Sequence, residues 1–133
     1  MTKKLVYLSV EQVIEYNVLA ITLIQVKKAD KAELLDKSRL MVVVESCKKV
    51  DGGVYDKAVF LLKWLIQKHP FASGNRRTAF IAVKDFLLKN NELLGIKDNP
   101  EQARIMIGIR ENFYKDEELK EWLKHGKIRK FER

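Results

Sequence analysis

One cysteine, Cys47, stands in a chain of 133 residues. No disulfide can close within it, and a reducing, cytoplasmic setting is the expectation. Only 6 Gly and 2 Pro are present, which leaves little material for flexible linkers or low-complexity segments. No apolar run approaches the ~18 residues of a membrane span, so no membrane partner is expected. The residues from Met1 to Leu5 lack an apolar stretch ahead of a small-residue cleavage site, so no secretory leader is expected. Acidic residues are in deficit: 18 Asp and Glu face 26 Lys and Arg, a formal net charge of +8. Such a field draws anions, whether nucleic acid, nucleotide phosphates or an acidic protein surface, and does not choose among them. Period-two alternation is also missing, apart from Leu5 to Leu8, which argues against a sheet.

What is there is helical periodicity. Ser9 and Gln12 have the spacing of a capping box, with Val13, Ile14, Val18, Ile21, Leu23 and Ile24 following, and predict a helix at about 10–28. Asp30 and Glu33 repeat the signal for a helix at about 31–48. Asp51, Gly52 and Gly53 then break the pattern, because a glycine pair permits positive φ; a turn or short flap is expected near 50–54. The run from Ala58 to Ile66 is apolar almost all round and predicts a deeply buried helix at about 56–68, stopped near His69 by Pro70. A fourth helix is expected from about Asn75 to Asn90, a fifth capped by Asn99 and Pro100 and running to about Asn112, and a short sixth from Asp116 that ends before Gly126. The expected fold class is all-α: one compact domain of about six helices over 1–133. A basic tail at 124–133, with Lys124, Lys127, Arg129, Lys130 and Arg133 against Glu132 alone, is expected to be solvated and partly disordered. Cys47, Trp64 and Trp122 fall at apolar spacing and read as core residues, Tyr55 as a packing residue, and His125 as a cap in the last turn of its helix.

The densest chemistry lies between His69 and Arg77. Gly74 lets backbone pass close to a ligand, and the residues after it open a helix whose first N–H groups have no intrahelical acceptor. The helix dipole adds partial positive charge there, and Arg76 and Arg77 offer bidentate bonds to phosphate oxygens. Asn75 can fix the loop or a phosphate oxygen through its amide. Phe71 is expected to point inward and anchor the loop. His69 would face this cradle as a general base, since an alcohol attacking phosphorus must lose its proton and an imidazole accepts one near neutrality. A bland reading stands beside this one: a His before Pro is often a helix cap and a Gly-Asn pair only a turn. Two arginines at a helix start oppose the dipole unless an anion is near.

The pattern His69, Phe71, Gly74, Asn75, Arg77 resembles the signature of the Fic/Doc family, on the side of the Doc (death-on-curing) toxins. Thr78 and Ala79, the opening Leu8 to Glu11 and the stretch from Asn99 to Leu123 are similar too, so the resemblance covers nearly the whole chain. It implies an all-α Fic fold and nucleotide-dependent transfer to a Ser, Thr or Tyr hydroxyl of a target protein, with ATP and Mg²⁺ as cofactors. His69 would be the general base, Gly74, Asn75, Arg76 and Arg77 the phosphate loop, and Asp51, Gly52 and Gly53 would lie near the flap that positions the target. Three positions depart from the pattern. Ser73 stands where relatives carry Asp, Glu or Asn beside Mg²⁺; a hydroxyl can ligate the metal but brings no charge. Arg76 stands where adenylyl-transferring relatives have Gly and Doc toxins have Lys, which favours transfer of the terminal phosphoryl group over transfer of AMP. Phe80 replaces a second Arg. The self-inhibitory pattern of the family is missing, because Cys47 sits where a hydroxyl is needed ahead of Asp51 and Gly52; restraint would then come from a separate antitoxin. The implied function is phosphorylation of a translation factor or similar protein. Adenylyl transfer, an inactive nucleotide-binding relative and a basic nucleic-acid-binding helical module are the alternatives.

Overall fold

Six helices follow one another in the computed structural model, which describes residues 4–23, 31–97 and 100–132: α1 (Val10–Leu23), α2 (Lys37–Lys49), α3 (Val54–Gln67), α4 (Asn75–Lys89), α5 (Glu101–Arg110) and α6 (Asp116–His125). No strand occurs among the described residues. Each helix start has a physical cause. Ser9 and Gln12 close a reciprocal capping box, with Gln12 N–H donating to Ser9 Oγ at 3.2 Å and Ser9 N–H to Gln12 Oε1 at 2.8 Å; this satisfies donors that the first turn would leave orphaned. The predicted extension of this helix to 28 lies outside the described residues beyond Leu23. At α3 the Asp56 carboxylate takes the Gly53 N–H at 2.8 Å.

The second helix begins later than its sequence suggests. Asp30 lies outside the described residues, and the cap is Asp36, whose side chain accepts from Arg39 N–H at 3.1 Å. Residues 33–36 are drawn away from helical conformation because their backbone bonds the loop after α3. Leu35 N–H donates to Pro70 O at 2.8 Å, Ala72 N–H donates to Glu33 O at 2.9 Å, and Leu34 forms an isolated antiparallel bridge with Phe71. Inter-segment backbone bonds have won over local helix propensity.

Helix ends follow from left-handed residues. Asn91 (φ 61) and Asn112 (φ 58) terminate α4 and α5. Glu92 N–H reaches back to Leu87 O, and Phe113 N–H to Gly108 O, the six-to-one closure that satisfies terminal carbonyls. The predicted Asn99 cap of α5 lies outside the described residues. Gly126 (φ 72) ends α6. Just before α5, Gly95 passes so close to α6 that a Cβ would meet the Lys124 carbonyl oxygen at 2.2 Å.

α3 is the hub. Its largest interface is with α4, and it also touches α2, α5 and α6, while α1 packs on α4. Leu61, Leu62 and Leu65 of α3 and Phe86 and Leu87 of α4 are fully buried and join Val13, Leu40, Val43, Phe71, Ile109, Leu119 and Leu123 in one apolar cluster. Each such side chain contributes about 1.5–3 kcal/mol on leaving water. Cys47 and Trp122 lie in this core. Trp64 is only half-buried, with the ammonium groups of Lys63 and Lys68 over its ring at 5.5 and 5.3 Å. The stretch from Leu5 to Leu8 is extended without being a strand: the Asn90 amide stands in for a neighbouring strand, accepting from Val6 N–H at 2.7 Å and donating to Val6 O at 2.9 Å.

The basic tail keeps Lys124, Lys127, Arg129 and Lys130 exposed to solvent, as expected, and is anchored near its end. Phe131 is buried, its carbonyl accepts from Arg104 Nε at 3.0 Å, and Tyr114 OH donates to Arg129 O at 2.9 Å. The Arg129 guanidinium lies 4.0 Å from the Phe113 ring centroid and pairs with Glu118. An apolar anchor and an aromatic seat fix the backbone while the charges stay in water; Arg133 lies outside the described residues. His125 does not cap a carbonyl: its Nδ1 meets Glu121 Oε1 one turn back at 2.9 Å. No helix among the described residues is long and apolar enough to cross a membrane.

Candidate functional site

The loop between α3 and α4 is built around Asn75. Its Oδ1 accepts from Phe71 N–H at 3.0 Å, and its Nδ2 donates to Phe71 O at 2.8 Å. The amide thus completes both backbone bonds of a buried residue, and Phe71, 1% exposed, pins the loop into the core. Gly74 holds φ 75, the left-handed conformation that L-residues with a Cβ resist. Thr78 N–H to Gly74 O, 2.8 Å, is the first bond of α4. The N–H groups of Asn75, Arg76 and Arg77 therefore have no acceptor within their own helix.

His69 is exposed, adopts φ 50, and stands immediately after the C-cap of α3. Its Nδ1 lies 3.1 Å from Asn75 Nδ2. The two bonds to Phe71 fix which end of the amide is nitrogen, so Nδ2 is the donor and Nδ1 the acceptor. The neutral ring then carries its proton on Nε2.

His69, Gly74, Asn75, Arg76 and Arg77 all line one cavity of about 550 Å³, within the usual range for small-molecule sites. Ala20 and Ile21 of α1, Ile66 of α3 and Phe80 of α4 close part of it, and α5 supplies the opposite wall with Gln102, Ala103, Met106, Ile107 and Arg110. Arg76 and Arg77 are exposed and have no ion-pair partner among the described residues. Cations left unpaired beside free helix N–H groups can take an anion, and the same cavity also carries apolar side chains.

Other predicted residues fall elsewhere. Ser73 does not line the cavity; it is half-buried, and its carbonyl accepts from Asn17 Nδ2 at 2.9 Å. Asp51, Gly52 and Gly53 do not belong to the loop at all. They form the turn before α3, and the 14 residues of that helix put them roughly 20 Å from His69. The segment whose backbone lies against the loop is Glu33 to Asp36. Gly52 and Gly53 serve the Asp56 cap instead.

The described residues give Mg²⁺ no carboxylate in the cavity: no Asp or Glu among them lines it, and besides Asn75 the side-chain oxygen on its wall is the neutral amide of Gln102. Hard divalent cations take oxygen ligands, carboxylates foremost, whereas guanidiniums offer only donors.

The sequence passed over three residues. Asn17 is fully buried and ties α1 to the loop and to α4, its Nδ2 also donating to Thr78 Oγ1 at 3.0 Å. A polar side chain four residues after Val13, on the buried stripe of α1, was the available signal. Gln102, whose Nε2 is buried without a partner among the described residues, and Arg110 look like ordinary surface residues of an amphipathic helix until α5 is placed against the loop.

Two comparisons bear on what this site is. No curated protein matches the chain. The family model described as Fic/DOC family matches residues 7–87, more than half of the chain and the whole of the segment from α1 through most of α4, including every residue of the His69–Arg77 loop. With that loop lining a cavity beneath the amino end of α4, the chain belongs to the Fic/DOC family.

Proposed function

We propose that the protein is a Doc-like enzyme that transfers the terminal phosphoryl group of ATP to a hydroxyl of a target protein, and that a separate antitoxin chain restrains it. Membership of a family that modifies proteins by nucleotide transfer supplies the class of reaction. The observation that carries the finer reading is Arg76: a bulky cation projects into the cavity where adenylyl-transferring relatives have the Gly that makes room for a different phosphate placement.

The chemistry follows from the chain's own groups. Phosphates lie against the first turn of α4, held by its N–H groups and by Arg76 and Arg77, and the apolar cavity wall takes the base. A target hydroxyl approaches His69. Its oxygen attacks the γ-phosphorus, the bond from that phosphorus to the bridging oxygen breaks, ADP leaves, and the hydroxyl proton passes to the imidazole. Most of the barrier lowering in such a transfer comes from positioning and charge neutralisation, and the base contributes ~10²–10⁴-fold. In the tautomer that Asn75 fixes, the lone pair lies on Nδ1, so the proton is taken there and the ring must part from Asn75 Nδ2.

Incubation of the full chain with cell extract and ATP labelled on the α- or the γ-phosphate tests the reading. Protein that acquires only the γ-label is the expected outcome. Protein carrying the α-label assigns adenylyl transfer instead, and no label on any protein leaves a nucleotide-binding relative without activity.

A further inference from the structure

A nucleoside triphosphate brings several negative charges into a cavity, and something must neutralise them. Relatives are expected to use Mg²⁺ for part of this task. Here three guanidiniums line the cavity, Arg76 and Arg77 from the first turn of α4 and Arg110 from the last turn of α5. Arg110 reaches it from the wall opposite the loop. Its one carboxylate neighbour in the salt bridges, Glu111 at 3.5 Å, shares an exposed position with it, and a pair of that kind is worth little in water. The guanidinium is therefore available to a ligand. Carboxylate oxygens for a dication are the missing element among the described residues: Ser73 lies outside the lining, no Asp or Glu faces the cavity, and besides Asn75 the side-chain oxygen on its wall is the neutral amide of Gln102. Three fixed cations also raise the local potential, which attracts a polyanion and repels a divalent cation.

We infer that this cavity holds the nucleotide's phosphates as the free polyanion, with Arg110 as the third guanidinium and no bridging divalent cation. The inference rests on the nucleotide reading above. Its physical consequence is an inversion of the usual metal dependence. Magnesium bound to ATP removes charge that the arginines would otherwise meet, so the metal should weaken binding or leave it unchanged. Arg suits this role better than Lys because its planar fork can engage two oxygens at once.

Calorimetric titration of the full chain with ATP, once in excess EDTA and once in excess Mg²⁺, reads this out without any target protein. The expected dissociation constant in EDTA equals or lies below that in Mg²⁺. Arg110→Ala should raise the EDTA value about tenfold or more, the loss of one charge-assisted contact, and Arg110→Lys should recover part of it. Lys84→Ala removes the same charge from an exposed position on α4 outside the cavity, and should change the value by less than about twofold because exposed charges are screened. Binding that appears only with Mg²⁺ overturns the inference and leaves the nucleotide assignment standing. So does an Arg110→Ala variant that behaves like Lys84→Ala. Absence of ATP binding under both conditions overturns the inference and the proposed function together.

Discussion

The two ends of α3 use the same residue types for opposite purposes. At its start, glycines and charges sit in a closed set of partners. Asp56 binds Gly53 N–H and Lys120 Nζ, the latter at 3.0 Å. The Lys57 ammonium, nearly buried, is spent on the carbonyls of Cys47, Lys48 and Val50 at 3.4, 3.2 and 2.6 Å, closing the end of α2. At its other end, Gly74 and two arginines stand beside an exposed imidazole, and neither Arg76 nor Arg77 has an ion-pair partner among the described residues. A charge whose partners are all protein atoms stabilises the fold, whereas unpaired cations that line a cavity beside free helix N–H groups can take an anion. That distinction separates the turn at Asp51 from the loop at His69 more cleanly than glycine content or charge does.

Mutations at the two ends should therefore fail in different assays. The largest effect is expected from His69→Ala, which should slow transfer ~10²–10⁴-fold with little change in melting temperature, because the ring is exposed and makes one modest contact. A variant that transfers at the wild-type rate removes the general base from the mechanism. At the opposite end, Lys57→Met should lower stability by about 2–3 kcal/mol, since three carbonyls lose a charged donor. Denaturant unfolding measures this, while ATP affinity stays unchanged; a parallel loss of affinity would show that the two ends are not independent. Gly74→Ala tests the boundary between the two behaviours. Forcing a Cβ into φ 75 should destabilise by roughly 1–2 kcal/mol and also weaken nucleotide binding, so it should register in both assays.

The smallest effect concerns pH. The hydrogen bond from Lys120 holds the Asp56 carboxyl below its ordinary value, and the hydrogen bond from Arg129 does the same for Glu118. For a depressed carboxylate, the stabilisation is present above the unfolded value and is lost as pH falls through the folded one. Melting temperature should hold from neutrality to the upper edge of the carboxylate range and then decline. Asp56→Asn should flatten that decline only slightly, because both carboxylates are close to solvent. Cys47 offers a control in the other direction. Burial raises its thiol to about 11, so a thiol reagent near neutral pH should label it only after unfolding.

Legibility in the sequence followed the range of the interactions. Helices α3 and α4 could be read within a few residues because their periodicity, the stop imposed by Pro70 and the Gly74 break are local. The loop's chemistry was legible for the same reason: imidazole, glycine, amide and guanidinium lie within nine consecutive positions. The start of α2 was not, since Asp30 and Asp36 are equally good caps in isolation, and only the backbone pairing of residues 33–36 with the loop chooses between them. The tail's exposed charge was visible in the sequence, whereas the seat for Phe131 and Arg129 was not, because it is assembled from α5, Phe113, Tyr114 and Glu118. Asn17 and Arg110 come from helices distant in sequence, and nothing in their neighbourhoods points toward the loop.

Sequence alone determined the helical class, the order of the elements and the chemical identity of the loop, because hydrophobic period, capping residues and a short motif act over a few positions. Tertiary structure decided which segment lies against that loop, which cations are left without ion-pair partners among the described residues, and that α5 brings a third guanidinium to a cavity that no carboxylate of those residues lines. Those facts depend on which helices meet, and packing around α3 is a property of the whole chain rather than of any stretch of it.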